Sequence, residues 1–199
     1  LPIKGQVTHD LPFFVSRVEH DRMVDDLDFD RLDGPPPAHF DCGRDDQNLF
    51  LHQRAWLDQQ ALLSTTYLLK DGWSLAAFVT LCMSGVSLHR HERGPAIRYQ
   101  DVGALKLAQL GVDQSFQRRG LGRDAVAFVI ELARSSSKNF GCRYVILDAQ
   151  PELESWYFDL GFVRNELQQE RRTMDAIAHG RSPKQLAVSM RFDIRNHAS

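Results

Sequence analysis

Apolar positions along the chain switch between two spacings, and the switches divide it into strands and helices. Residues 65–70 and 75–83 are short, nearly continuous apolar runs. Asp71-Gly72 lies between them, a pair that favours a tight reversal, so the two runs are expected to form a β-hairpin. Residues 104–112 and 144–147 read as further strands. Helical spacing begins at Asp45, where acidic residues fill the first turn and Leu49, Phe50, Leu57 and Ala61 recur with Trp56. The best-defined helix follows Leu121, with Leu121, Ala125, Phe128, Val129, Leu132 and Ala133 on one stripe. Pro151 opens another helix from its first turn, and Gly161 closes it. Residues 162–164 and 186–192 are expected as late strands separated by the polar stretch 165–184, and residues 11–18 offer one more edge strand. Hairpin strands come first, then strand–helix–strand–helix–strand. That order implies an α/β fold: a mixed, mostly antiparallel twisted sheet with one parallel crossover, flanked by helices on both faces.

Composition narrows the function classes. At 199 residues the chain can bury a core of its own. The run Asp33-Gly34-Pro35-Pro36-Pro37 sets off residues 1–39 as a partly extended N-terminal arm from a domain over residues 40–199. A formal net charge of -2 gives no general pull toward nucleic acid or anionic membrane, so any basic surface must be local. Cys42, Cys82 and Cys142 include no C-x-x-C pair, which argues against a disulfide framework or zinc ribbon and toward a reducing, cytoplasmic location. The most apolar run, 75–83, is too short to span a bilayer, so no membrane partner is expected.

The chemistry concentrates in residues 111–124, GVDQSFQRRGLGRD, between a strand and the best helix. Paired glycines at a helix start, beside arginines, suit an anion that must approach the backbone closely. A Walker loop is excluded, because no G-x-x-x-x-G-K-[ST] follows any strand. Gly120-x-Gly122-x-x-Ala125 formally fits a dinucleotide fingerprint, with Asp148 ending the next strand. However, the polar residues 113–119 separate the strand from the first glycine, and about fifty residues after Asp148 are too few for a second half. The remaining reading is Gln117-x-x-Gly120-x-Gly122 after a strand ending Leu110-x-Val112. It resembles motif A, [RQ]-x-x-G-x-[GA], of the GNAT superfamily of N-acetyltransferases.

The resemblance extends over about residues 40–162. "ALKLAQLGVDQSFQRRGLG" resembles the fourth strand and loop of these enzymes, and "VILDAQPELESWYFDLGF" their fifth strand and following helix. That helix typically closes F-Y-x-x-x-G-F. Here Trp156 stands where Phe is usual, while Tyr157, Gly161 and Phe162 match. "HFDCGRDDQNLFLHQRAWLDQQALLSTTYLLKD" resembles the N-terminal helices of a subgroup that includes acetyltransferase toxins of bacterial toxin–antitoxin pairs. The resemblance implies acetyl-CoA as co-substrate. Its pantetheine arm would run along the strand edge at Leu110, Gly111 and Val112. Its pyrophosphate would lie on the loop and helix start at Gln117, Arg118, Arg119, Gly120, Leu121, Gly122 and Arg123. It implies Tyr157 as proton donor to the departing thiolate, whereas helical spacing alone (Leu153, Trp156, Tyr157, Leu160) reads Tyr157 as core.

Other roles stay open on sequence. Glu92, His89 or Asp101 from the loop after residue 83, or water, is the candidate general base. His89-x-His91-Glu92 lacks a third spaced ligand for a metal, and Cys142 is expected to be buried and inert. The implied activity is transfer of an acetyl group to a primary amine on a small molecule, peptide or aminoacyl-tRNA. A non-catalytic acyl-CoA-binding module on the same fold is the alternative. The tRNA reading needs a basic face, for which Arg164, Arg171, Arg172, Arg181 and Lys184 beside Arg118 and Arg119 are candidates. Against it, Gln109-Leu110-Gly111-Val112 stands where the toxin subgroup usually reads R-L-A-V. A homodimer using apolar surface near Trp56 or Trp73 is also expected.

Overall fold

The computed structural model describes residues 28–196. The possible edge strand at residues 11–18 lies outside them. Among the described residues, seven strands form one sheet in the order β1-β2-β3-β4-β5-β7-β6. Strands β2 (Thr65–Asp71) and β3 (Ser74–Ser87) form the expected hairpin. Its reversal uses Gly72 at φ +60, a left-handed conformation that glycine adopts without a Cβ clash. Both β3 and β4 (Asp101–Val112) run past the bounds read from sequence, because their far ends bury Val86 and Ala104 with Leu88, Tyr144 and Ile146. A short β1 (Phe29–Arg31) borders the sheet antiparallel to β2. With buried Leu32 it brings part of the expected N-terminal arm into the packed domain.

The expected mostly antiparallel sheet is present, and the single parallel pair among the described strands is β4 with β5 (Tyr144–Ala149). Two helices, α1 (Asp45–Gln53) and α2 (Ala55–Gln60), replace the one continuous helix expected from Asp45, with the break at Arg54. Their buried Leu51 and Ala55 pack with Phe40, Leu68, Leu75 and Phe78 on one face of the sheet. The opposite face carries α3 (Leu121–Ser136), whose Leu121, Ala125, Val126, Val129, Ile130 and Ala133 are buried against Val79, Leu81, Leu107, Val145 and Leu147. Each large aliphatic side chain buried this way contributes roughly 1.5–3 kcal/mol. That is ample to hold a helix whose start lacks a side-chain cap.

On the same face, α4 (Glu154–Asp159) follows a single 3-10 turn begun by Pro151, and Gly161, φ +88, turns the chain away after its C-cap Leu160. The polar stretch 165–184 was expected as a connection and instead contains α5 (Glu166–Ala178). Sequence reading missed it because it is polar almost throughout and fully buries only Ala176. Its start is fixed by Glu92, which accepts hydrogen bonds from the N–H groups of Glu166 (3.0 Å) and Leu167 (3.3 Å). The strands β6 (Val163–Arg164) and β7 (Val188–Asp193) complete the sheet. No described helix is long and apolar enough to cross a membrane.

Candidate active site

Parallel pairing of β4 with β5 runs from Ala104↔Tyr144 to Leu107↔Leu147 and stops there. On the other side of β4, Thr80 pairs with Gln109 and Leu81 with Leu107, which leaves Ala108 as a bulge. A bulge bends its strand and increases the local twist. Beyond it β4 continues to Val112 without a neighbour on the β5 side, while β5 stays paired with β7 up to Ala149↔Val188. The strands therefore part, and a cleft of about 650 Å³ fills the opening. Such a volume suits a small-molecule site.

The mouth of the cleft is the start of α3. Arg118 (φ 62) and Gly120 (φ 88, ψ -11) are both left-handed. No described group accepts a hydrogen bond from the N–H groups of residues 118–122. Left-handed residues at alternate positions turn successive N–H groups toward one concavity, and the dipole of the 16-residue helix adds positive potential there. Five unpartnered donors around a left-handed glycine fit a pyrophosphate. The loop is braced from behind: the Gln117 side-chain amide donates to the carbonyls of Cys42 and Val112, both at 3.0 Å. Asp113 accepts from the N–H groups of Asp41 (3.0 Å) and Ser115 (2.9 Å).

Of the residues expected to hold the co-substrate, Leu110, Gly111, Val112, Gln117, Arg118, Gly120, Leu121, Gly122 and Arg123 line this one cleft. Arg119 is not among its lining residues, and its guanidinium lies 5.1 Å from the centre of the Phe116 ring. Gly111 also has a packing reason to be glycine, since a Cβ there would come within 2.4 Å of Phe78 Cε1. A Cβ on Gly122 would meet Trp156 at 3.6 Å, an ordinary contact that leaves little room for anything larger.

Tyr157 is both core and cleft wall. It is 7% exposed, and its ring packs edge-on against Trp156 and Phe162 at centroid distances of 4.7 and 5.6 Å. It also lines the cleft, and its hydroxyl makes no hydrogen bond to a described residue. Burial pushes its pKa up to about 12, so the hydroxyl keeps its proton throughout the neutral range.

None of the candidate bases lines the cleft. Glu92 pairs with Arg191 at 2.7 Å, its side chain only 2% exposed, in addition to capping α5. His89 Nε2 lies 2.9 Å from Glu170 and His91 Nε2 lies 2.6 Å from Glu166, while Asp101 accepts from Ser87. These contacts tie the β3–β4 connection to α5 and the sheet. Burial raises the pKa of the Cys142 thiol, as it does for the cleft-lining Cys42. The expected basic face is reduced, because Arg164 pairs with Glu154, Arg172 with Asp148 and Arg181 with Asp175. Trp73 is fully exposed, whereas Trp56 is half-buried against the α1–α2 core.

Sequence reading missed Asp148, Gln109, Arg44 and Gln47, which also line the cleft. The signal for Asp148 was its place at the end of the strand that parts from β4; Arg44 and Gln47 carried none, since their approach is set by tertiary packing of α1.

The Acetyltransferase (GNAT) family matches residues 24–162. A rice (Oryza sativa subsp. japonica) protein, probable glucosamine 6-phosphate N-acetyltransferase 2, is 40% identical over 57 residues. That match spans 29% of this chain and only about a third, 32%, of the relative. A crystal structure of a bacterial toxin superposes with a TM-score of 0.66 at 20% identity, covering 87% of this chain and 98% of that one. AtaT complexed with acetyl-methionyl-tRNAfMet superposes at 0.64 with 25% identity, covering 70% and 88%. AtaTR bound with acetyl-CoA does so at 0.61 with 22% identity, covering 84% and 94%.

Proposed function

The chain belongs to the GNAT acetyltransferase family, whose co-substrate is acetyl-CoA, and from that premise we propose that it transfers acetyl directly to a primary amine in the cleft between β4 and β5. One observation carries this reading: the unpartnered N–H groups at the start of α3, the free edge of β4 and the Tyr157 hydroxyl all border one cleft.

Acetyl-CoA supplies an activated acyl thioester. The N–H groups of residues 118–122, with Arg118 and Arg123 beside them, hold its pyrophosphate, and the edge of β4 at Leu110 and Val112 aligns its pantetheine arm. The amine nitrogen attacks the acyl carbon with its lone pair, the carbon–sulfur bond breaks, and the nitrogen gives its extra proton to water as the amide forms. Tyr157 gives its hydroxyl proton to the departing sulfur and is reprotonated from solvent, which its pKa of about 12 favours at neutral pH. The amine must be neutral at the moment of attack. No side chain in the cleft is assigned as the base that makes it so, and water fills that role.

A second reading of the acceptor, an aminoacyl-tRNA, is favoured by the arginines at the cleft mouth. Arg118, Arg119 and Arg123 are exposed, and none makes an ion pair with a described residue. With Arg118 and Arg123 beside the pyrophosphate, Arg119, which does not line the cleft, is left to meet a phosphate backbone at the mouth. Its support from relatives is the AtaT complex with acetyl-methionyl-tRNAfMet.

The test is thiol release from acetyl-CoA against panels of small amines, peptides and charged tRNAs. We expect release that requires an acceptor and matches the N-acetylated product mole for mole. Acetyl-CoA binding without release against any panel would contradict the enzyme reading and leave an acyl-CoA-binding module.

A further inference from the structure

A second cavity, of about 460 Å³, opens on the α3 face of the sheet toward the far end of that helix. It takes in Leu132, Ala133 and Ser136, which lie roughly 17–22 Å along the helix axis from Leu121. It shares no lining residue with the acetyl cleft. Its floor is apolar, formed by Tyr67 of β2, Leu81 and Met83 of β3 and Leu105 of β4. Phe140 borders it beyond α3, and Leu62 and Leu63 border it from the turn between α2 and β2. Of these, Leu62, Leu63, Met83 and Phe140 are exposed. Four large apolar side chains around one concavity differ from the scattered single exposures that a protein surface ordinarily carries.

Arg31 is the one charged residue in the lining. It pairs across strands with Tyr67 and alternates with Phe29 along β1, and both of those pack against the α3 core. Its side chain therefore leaves the sheet on the face that holds the cavity, while the adjacent acid, Asp30, alternates to the other face. Arg31 is exposed and makes no ion pair with a described residue. Gln59, also in the lining, is already engaged: its amide donates to the carbonyl of Leu32 and accepts from the N–H of Thr66. An apolar trough with an unpaired cation at one end and no anion in its lining is complementary to an apolar chain with an anionic head.

We propose that this cavity binds a medium-chain fatty acid, its carboxylate on the Arg31 guanidinium at the β1 edge and its chain lying across β2 and β3 toward Leu105 and Phe140. The guanidinium fork matches a carboxylate with two parallel hydrogen bonds. From β1 to β4 is three strand spacings, about 14 Å. An extended chain of about ten to twelve carbons covers that distance. This site is independent of the acetyl-CoA reading of the cleft.

The test is calorimetric titration of the whole chain at neutral pH with dodecanoate, kept below its micelle concentration, and with dodecyltrimethylammonium as the control of opposite charge. Wild type should bind dodecanoate at least about tenfold more tightly than the ammonium amphiphile. Arg31→Met should weaken dodecanoate roughly ten- to a hundredfold and leave the control unchanged, and Arg31→Lys should retain most of the affinity. Met83→Glu, an exposed change that puts a like charge on the floor, should weaken dodecanoate with Arg31 intact. Saturating acetyl-CoA should not displace it. Absence of dodecanoate binding, equal affinity for the two amphiphiles, or wild-type affinity in Arg31→Met would each overturn the proposal. Displacement by acetyl-CoA would place the chain in the cleft and overturn it too. So would a dimer in light scattering that Met83→Glu dissociates, since a second copy would then be the occupant.

Discussion

Gly111 and Phe78 are packed so closely across β4 and β3 that a methyl group on Gly111 would sit 2.4 Å from Phe78 Cε1. Phe78 is fully buried and packs edge-on with Phe40, so it has nowhere to retreat. Gly111→Ala is therefore expected to destabilise by about 1–3 kcal/mol through overpacking. At this chain length that lowers the melting temperature by roughly 2–4 °C per kcal/mol, which thermal denaturation reads directly. An unchanged melting temperature would contradict the packing described.

Glu92 is a structural anion. Its removal in Glu92→Ala leaves Arg191, 10% exposed, without its partner and α5 without its cap. A loss of about 3–5 kcal/mol is expected. Burial pushes the Glu92 carboxyl up, but the N–H groups of His89 and Glu166 and the Arg191 guanidinium outweigh it, and the net pKa is lowered from 4.5. The stabilisation is thus complete above the ordinary glutamate value and is lost as pH falls through the lower folded value. In melts across acid pH, the gap between wild type and Glu92→Gln should narrow only below pH 4.5. A gap that vanishes near neutrality would contradict this.

Tyr157→Phe removes the hydroxyl proposed as proton donor and keeps the ring. Turnover should fall roughly ten- to a thousandfold, with little change in acetyl-CoA affinity. A buried tyrosine with a pKa of about 12 against 10.0 unfolded also carries a pH signature. Its contribution is complete below pH 10 and is lost between pH 10 and 12, on the order of 3 kcal/mol in all. Wild type should therefore lose stability over that alkaline range faster than Tyr157→Phe does. Normal turnover in the variant would remove the catalytic role and leave Tyr157 as core.

Much of this architecture was legible in the sequence because it follows local rules. The stripe of α3, the Asp71-Gly72 reversal and the glycines after β4 each depend on near neighbours. The missed features depend on distant ones. Helix α5 is stabilised by Glu92 at its start and by Arg172 on Asp148, partners far away in sequence. The break at Arg54 and the short β1 are likewise products of packing. For the site, the motif located the loop, yet Gln117 turned out to brace it through Cys42 and Val112. Glu92 and His89 read as candidate bases because a polar loop gives no sign of which carboxylate will be capped and paired.

The central claim is that acetyl-CoA binds with its pyrophosphate on the start of α3. Calorimetric titration of acetyl-CoA into wild type and Gly122→Val tests it most directly, with NADH as the control ligand. At residue 122 a Cβ already meets Trp156 at 3.6 Å, so valine's further carbons must crowd either that ring or the anion site. Acetyl-CoA should bind wild type and not the correctly folded variant, and NADH should bind neither. Equal acetyl-CoA affinity in the two proteins, or NADH binding in its place, would contradict the account.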